Sequence, residues 1–254
     1  MGRESHAVAE RVAAGDSWYT EEHLRQLDNP ATRDTLESRW RVFAAQLAKL
    51  APAQRTLRIL DAGCGDGVNL AWLCRYCDQH DLPAEVYGCD YNPLRVARAR
   101  ELPGTAGVVE CELAGLPFDS DFFDVVLCNQ VLEHIPDLPP VLAEFHRVGA
   151  SGCTYILCVP NEGCALAQLR NRRLQPFLME STDHVNFFTA ATFSSVLQAA
   201  RFAVDRVAGI GFFYPHTRMH AWFKSRSAGR RLTRLLADLL PGQAADLVAV
   251  VHKA

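Results

Sequence analysis

The chemistry of this chain is most legible in one ten-residue run, Ile59-Leu60-Asp61-Ala62-Gly63-Cys64-Gly65-Asp66-Gly67-Val68. Glycine at every second position, Gly63, Gly65 and Gly67, lets the backbone turn sharply and lets a ligand lie directly against it. Two acids bear on the sign of that ligand. A diphosphate favours a glycine turn whose helix N-terminus faces the anion with no carboxylate nearby. Here Asp61 closes the preceding apolar run and Asp66 sits inside the turn. Such acids favour a ligand that carries ammonium or sulfonium charge. Asp90 ends the next apolar run, where a carboxylate can accept hydrogen bonds from two ribose hydroxyls. That role would serve a nicotinamide dinucleotide equally, so Asp90 points to a nucleoside without naming it. Helix capping or turn formation is the competing use of either acid alone. Two acids on consecutive strand tips beside a glycine turn favour a ligand.

The elements that position these residues follow from the hydrophobic pattern. Leu57 to Asp61, Glu85 to Asp90, Gly107 to Glu112, Asp124 to Asn129 and Thr154 to Val159 read as five short strands. Helices are predicted between them, one from Val68 to Cys77 and another opened by Pro93. Apolar strands alternating with helices predict a parallel sheet covered on both faces. Trp40, Phe43, Leu47 and Leu50 recur near the helical period until Pro52 stops the run, so the first fifty residues read as helical. Phe202 to Gly209 and Leu247 to His252 read as two more strands around a long, partly basic connection.

Composition narrows the function classes. The chain has 254 residues, 49% of them hydrophobic, enough for one sizeable core. Neither a repeat nor a linker argues for a second domain. A formal net charge of −3 does not suit a binder of polyanions, so no nucleic-acid partner is expected. No run approaches the roughly 18 apolar residues of a membrane span, and the N-terminal residues lack a signal-peptide core. A cytoplasmic protein is the expectation. The nine cysteines are an odd number in a long chain, which argues against a disulfide framework. Cys74 and Cys77 form a C-x-x-C inside a predicted helix without a second pair at ligand spacing, so they read as reduced thiols.

The run from 57 to 160 resembles the class I S-adenosylmethionine-dependent methyltransferases, in particular the small-molecule group related to ubiquinone-biosynthesis methyltransferases. The segments that carry the resemblance are ILDAGCGDG, VYGCDYNP, the LPF-to-FDVV stretch at 116 to 126, and NQVLEHIPD at 129 to 137. It implies a Rossmann-like, doubly wound, mostly parallel seven-stranded sheet with the last strand antiparallel, plus N-terminal helices. The implied organisation is one domain over 1–254, with a helical lid at 1–52 and a cofactor-binding core at 53–160. Substrate-side insertions would occupy 161–188 and 210–245. The implied cofactor is S-adenosyl-L-methionine. Asp61, Gly63 and Gly65 would hold its methionine portion while Gly67 shapes the turn. Asp90 would bind the ribose and Tyr91 would pack on adenine. Glu112 stands where the family usually has aspartate bonding the adenine amino group, and Leu113 would add a backbone amide and apolar contact. Asn129 and Gln130 would meet the methionine end.

Methyl transfer is an in-line displacement that needs chiefly a nucleophile held about 3–3.5 Å from the methyl carbon. A base is needed only where the nucleophile arrives protonated. The segment Asp183-His184-Val185-Asn186-Phe187-Phe188-Thr189 resembles a His-x-x-x-aromatic-Thr pattern of many relatives. Thr189 can cap the following helix, and His184 is the candidate base or substrate contact; a structural histidine is the alternative. His134, in Glu133-His134-Ile135-Pro136-Asp137, reads as structural. Some quinone-biosynthesis relatives add an acid three positions before Glu133 and bind a divalent metal. Gln130 occupies that position, so no metal is expected.

Asn161 to Phe188 is too long for a plain connector and reads as a lid or substrate wall, with Trp18 and Tyr19 as candidates to close from the other side. Arg218, Lys224, Arg226, Arg230, Arg231 and Arg234 accompany a leucine stripe at 232, 235, 236, 239 and 240. That pattern predicts an amphipathic helix with a solvated basic face over a core-facing stripe; an acidic substrate, acidic carrier protein or membrane surface is the alternative. The sequence thus predicts methyl transfer to oxygen or nitrogen of a small-molecule substrate such as a secondary metabolite, sugar or quinone precursor. RNA or protein methylation, a non-catalytic cofactor-binding subunit and a nicotinamide oxidoreductase are the competing readings. A homodimer stays open.

Overall fold

The computed structural model describes residues 30–50, 55–181 and 183–253. Seven strands form one sheet in the order β3-β2-β1-β4-β5-β7-β6. They are β1 (Leu57–Ala62), β2 (Ala84–Asp90), β3 (Thr105–Glu110), β4 (Phe123–Asn129), β5 (Gly149–Pro160), β6 (Phe202–Ile210) and β7 (Asp246–Lys253). β7 runs antiparallel to both of its neighbours, and every other pairing is parallel. The sheet is the doubly wound, mostly parallel one implied by the sequence, with its last strand reversed.

Helices cover both faces. In chain order they are α1 (Pro30–Leu50), α2 (Val68–Gln79), α3 (Pro93–Arg100), α4 (Leu138–Val148), α5 (Ala165–Leu169), α6 (Phe177–Ser181), α7 (Ala190–Ala199), α8 (Thr217–Lys224) and α9 (Ser227–Leu239). Consecutive strand residues serve opposite cores because side chains alternate across a pleat. Leu60, Val126 and Leu157 join Phe145 of α4 and Phe193 of α7 on one side. Ile59, Leu127 and Ile156 join Phe43 of α1 and Leu70 of α2 on the other. Each of these side chains is at most 1% exposed, so each contributes about 1.5–3 kcal/mol of burial.

The parallel run brings the tips of β1, β2, β4 and β5 to one edge of the sheet. β7 reaches that edge from the opposite direction: Asp246 at its start lies beside Pro160 and Ile210, the ends of β5 and β6. Five neighbouring strands therefore deliver side chains to a single crevice, the usual ligand position in this architecture.

Two readings of the sequence are corrected. β3 begins and ends about two residues earlier than the pattern suggested, which leaves Glu112 and Leu113 in the loop beyond its tip. β3 is an edge strand, and its weak alternation does not mark its ends. The second correction concerns the helix with the leucine stripe. α9 packs through Gly229 and Thr233, with the glycine lying against the Phe223 carbonyl and Thr233 Oγ1 2.8 Å from the Tyr214 hydroxyl. Leu232, Leu235 and Leu239 are 40%, 53% and 66% exposed. The stripe does not face the core, because only a small-residue face lets α9 approach α8 closely. Lys224, expected on a solvated face, is instead 3% exposed.

Candidate functional site

The glycine run occupies the turn between β1 and α2. Gly63, Gly65 and Gly67 have φ of +77°, +54° and +86°, a region other residues enter at a cost. A Cβ on Gly63 would lie 2.5 Å from Val131 Cγ2, and one on Gly67 would lie 2.3 Å from Leu102 Cδ1. The Gly63 and Cys64 amides both donate to the Cys89 carbonyl at 2.8 and 2.9 Å, which ties the turn to the tip of β2.

Asp61 and Asp90 meet at this turn. Asp61 is 0% exposed, and neither of its carboxylate oxygens has a hydrogen-bond partner among the described residues. Burial first, then the nearby Asp90 charge, pushes its pKa up to about 8, and the Asn69 amide close by offsets only part of this. Asp90 is 6% exposed and accepts from the Gly65 and Asn92 amides, each at 2.9 Å. Burial raises its pKa too, although those two amides work against the shift. An unpartnered buried carboxylate costs several kcal/mol in a closed core, so a cation beside Asp61 fits the site as the fold leaves it.

Asp66 does not join them. Its carboxylate turns to α3, 3.1 Å from Arg98 Nη1 and 3.9 Å from Arg95 Nε. Asp61 and Asp90 therefore carry the negative charge of the turn, while Asp66 is neutralised by arginines that the linear spacing did not pair with it. Asn92, which the sequence reading passed over, caps α3 by accepting from the Leu94 and Arg95 amides at 3.0 and 3.1 Å. Tyr91 is half-buried, Glu112 exposed and Leu113 buried, all around the tips of β2 and β3.

The tip of β4 carries the second half of the site. Gln130 has φ +58°, a left-handed value that a non-glycine residue adopts only when its surroundings hold it there. Its amide donates to the Cys158 carbonyl at 2.8 Å. Asn129 Oδ1 is buried without a partner among the described residues. Next in the chain, Glu133 is 1% exposed, and burial pushes its pKa up to about 8.

The 183–189 segment is pinned onto this turn. The Val185 and Asn186 amides donate to the Glu133 carbonyl at 2.8 and 3.0 Å, and the Asn186 side chain donates to the carbonyls of Leu132 and Ile135 at 3.1 and 2.6 Å. Thr189 caps α7 in a reciprocal box with Thr192. These bonds set His184 edge-on to His134, with ring centroids 4.9 Å apart. Burial, then the His134 charge, lowers the His184 pKa, which keeps a neutral imidazole available as a base.

His134 is less isolated than its reading as a structural residue suggested. Its Nδ1 lies 3.0 Å from Asp183 Oδ1 and its Nε2 lies 3.9 Å from Glu133 Oε1. Glu133, His134 and His184 offer ligand atoms within 4.8 Å of one another, a donor set that a divalent cation could also use. Gln130 takes no part in this set; His184, fifty residues on, folds onto the Glu133–His134 pair, which linear spacing does not show. Trp18, Tyr19 and most of the 1–52 lid lie outside the described residues.

Known proteins give this geometry a family. A family model described as "Methyltransferase domain" matches residues 60–157. A Mycobacterium tuberculosis protein named "Probable S-adenosylmethionine-dependent methyltransferase" is 30% identical over 206 residues, covering 80% of this chain and 70% of that protein. The chain belongs to the S-adenosylmethionine-dependent methyltransferases. S-adenosylmethionine is the family's cofactor, and the matched run includes the tips of β1, β2 and β4. A ubiquinone biosynthesis O-methyltransferase of Hahella chejuensis is 38% identical over 103 residues, covering 37% of this chain and 40% of that protein.

Among solved structures, a methyltransferase in complex with the Trm112 activator of Haloferax volcanii shares the fold. Its TM-score is 0.64 at 19% identity, covering 93% of this chain and 96% of that one. Of two further curated relatives, the chain spans about half the length, 54% and 49%. No helix among the described residues is long and apolar enough to cross a membrane.

Proposed function

We propose that this methyltransferase carries a methyl group from S-adenosylmethionine to an oxygen or nitrogen of a small-molecule acceptor. The observation that carries the reading is Asp61, a fully buried carboxylate with both oxygens unpartnered among the described residues, beside a turn of three left-handed glycines. A cationic methionine portion would supply the missing partner. In this reading Asp61, Gly63 and Gly65 hold that portion, Asp90 takes the ribose, and Tyr91, Glu112 and Leu113 surround the adenine. Asn129 and Gln130 meet the methionine end from β4. The acceptor enters between the 161–188 and 210–245 insertions, and His184 contacts it or removes its proton. Catalysis then rests on alignment and exclusion of water. The likeness to an O-methyltransferase of quinone biosynthesis supports a small acceptor.

Calorimetry with S-adenosylhomocysteine against NAD tests the first step. Tight binding of the former alone is expected, and preference for NAD would sink the reading. His184→Ala is expected to keep cofactor affinity and lose turnover once an acceptor is in hand; unchanged turnover rejects its role. Activity is expected to survive a chelator, and a loss restored by magnesium would instead assign Glu133, His134 and His184 to a metal.

A further inference from the structure

The segment from 210 to 240 differs in charge from the chain around it. It holds six cations, Arg218, Lys224, Arg226, Arg230, Arg231 and Arg234, and one acid, Asp238, in a chain whose formal net charge is −3. Lys224 is buried, and of the six only Lys224 and Arg234 reach a carboxylate among the described residues, both at Asp34. Arg218, Arg226 and Arg231 are exposed. Arg226 stacks over the Trp222 ring at 4.3 Å and donates to the Trp222 carbonyl at 2.8 Å. That stack holds the guanidinium at the surface without neutralising it.

The apolar side chains here are as uncovered as the charges. α9 is fixed to α8 by its small-residue face, Gly229 and Thr233, which leaves Leu232, Leu235 and Leu239 exposed. At i, i+3 and i+7 these leucines form one row along the helix. Arg231, four residues before Leu235, borders that row. Met219 and Trp222 of α8 are exposed as well. A further segment joins them. The Gln175 side chain exchanges bonds of 2.9 and 2.8 Å with Thr217 at the start of α8. Leu174 and Phe177, on either side of Gln175, are exposed large apolar residues near the start of that helix, and the exposed Arg172 and Arg173 precede them. Apolar side chains gathered in this way mark a surface that meets something other than water.

Leucine and tryptophan interleaved with arginine suit a layered surface. Apolar side chains enter the boundary between headgroups and acyl chains, and guanidinium groups on long stems stay level with the lipid phosphates. Charge complementarity sets the lipid type: a face with several unpaired arginines and one acid is attracted by anionic headgroups. A second copy of this chain would set one basic face against another. An acidic protein would need an apolar strip matched to the leucine row, whereas a bilayer offers both layers at every point. We propose that the exposed face of α8 and α9 docks on an anionic phospholipid bilayer, with Trp222, Leu232, Leu235 and Leu239 in the boundary and Arg226 and Arg231 on the phosphates. α9 lies in the plane of that surface, since no helix among the described residues is long and apolar enough to cross it. The docking stands apart from the methyl-transfer reading, because none of these side chains is assigned to the cofactor or to His184.

Co-sedimentation of the full chain with vesicles tests this, using phosphatidylcholine alone and phosphatidylcholine mixed in equal parts with phosphatidylglycerol. Binding to the mixed vesicles is expected to be about tenfold tighter than to phosphatidylcholine alone, and to weaken as salt rises. Leu235→Gln combined with Leu239→Gln should weaken it about tenfold and leave the thermal midpoint unchanged. Arg226→Gln combined with Arg231→Gln should remove most of the preference for phosphatidylglycerol. Folded protein that ignores the mixed vesicles overturns the proposal. So does wild-type binding by the double leucine variant, which would reduce the contact to charge alone. Tighter binding of soluble polyglutamate than of mixed vesicles would give the face to an acidic protein. A dimer lost in the leucine variant, without vesicle binding, would give it to a second copy.

Discussion

The two ends of the crevice differ in how they treat buried charge. At the tips of β1 and β2 the fold gathers Asp61 and Asp90, and the nearby Asn69 amide offsets only part of the cost of burying Asp61. At the tips of β6 and β7 it gathers Arg39 and Lys224 and spends two carboxylates on them. The first end is negative and incomplete; the second is balanced from within, Arg39 against Asp246 and Lys224 against Asp34. Glycines with left-handed backbone mark the first, where a ligand must touch the main chain. Long side chains reaching from helices mark the second.

Four substitutions sharpen or break this contrast. The largest effect is expected at Gly63→Ala, where a left-handed backbone and a Cβ 2.5 Å from Val131 together cost about 2–4 kcal/mol. Chemical denaturation reads that loss, and a wild-type midpoint would show that the turn is not strained.

Next comes Asp61→Asn, which should weaken S-adenosylhomocysteine about tenfold to a hundredfold, or 1.4–2.8 kcal/mol. Its pH dependence has a definite sign. The empty site holds Asp61 near pKa 8, and a cation pulls that value down, so binding releases a proton. Wild-type affinity should rise from pH 6 to 8 and then level, whereas the Asn variant should stay flat. For the empty protein the raised pKa stabilises the fold fully below the ordinary carboxylate value, and that contribution is lost as pH rises through about 8.

Between the two ends, Asn186→Ala removes the donors to the Leu132 and Ile135 carbonyls and should cost about 1–3 kcal/mol. Because the same bonds place His184, turnover should fall further than stability alone explains. The smallest effect is expected at Leu235→Gln. Its side chain is 53% exposed, so thermal stability should change by less than about 0.5 kcal/mol. A drop of several kcal/mol would mean that the leucine stripe is covered after all.

The contrast also separates what was legible before the structure from what was not. Asp61, the three glycines and Asp90 sit within thirty residues and follow strand and turn periods, so their meeting at two strand tips could be read from spacing alone. The second end could not. Lys224 and Arg234 find Asp34 across 190 and 200 residues, and Arg39 finds Asp246 across 207. No period records such pairings.

Local patterns misled where they were strongest. α9 carries a regular leucine stripe, yet Gly229 and Thr233 decide which face packs. Periodicity tells which face is apolar and says nothing of whether another element arrives to cover it. Asp66 belonged to the loop in sequence and to Arg95 and Arg98 in space, because α3 swings back over the turn.

The sequence by itself determined the alternation of strand and helix, the glycine turn and the acids at its flanks, since these depend on neighbours within a few residues. Tertiary structure alone decided that Asp61 is fully buried beside Asp90, that His184 meets His134, and that Lys224 is buried. Each of those depends on which distant chain segments converge at the sheet edge, and burial there, more than residue type, sets the charge a side chain carries.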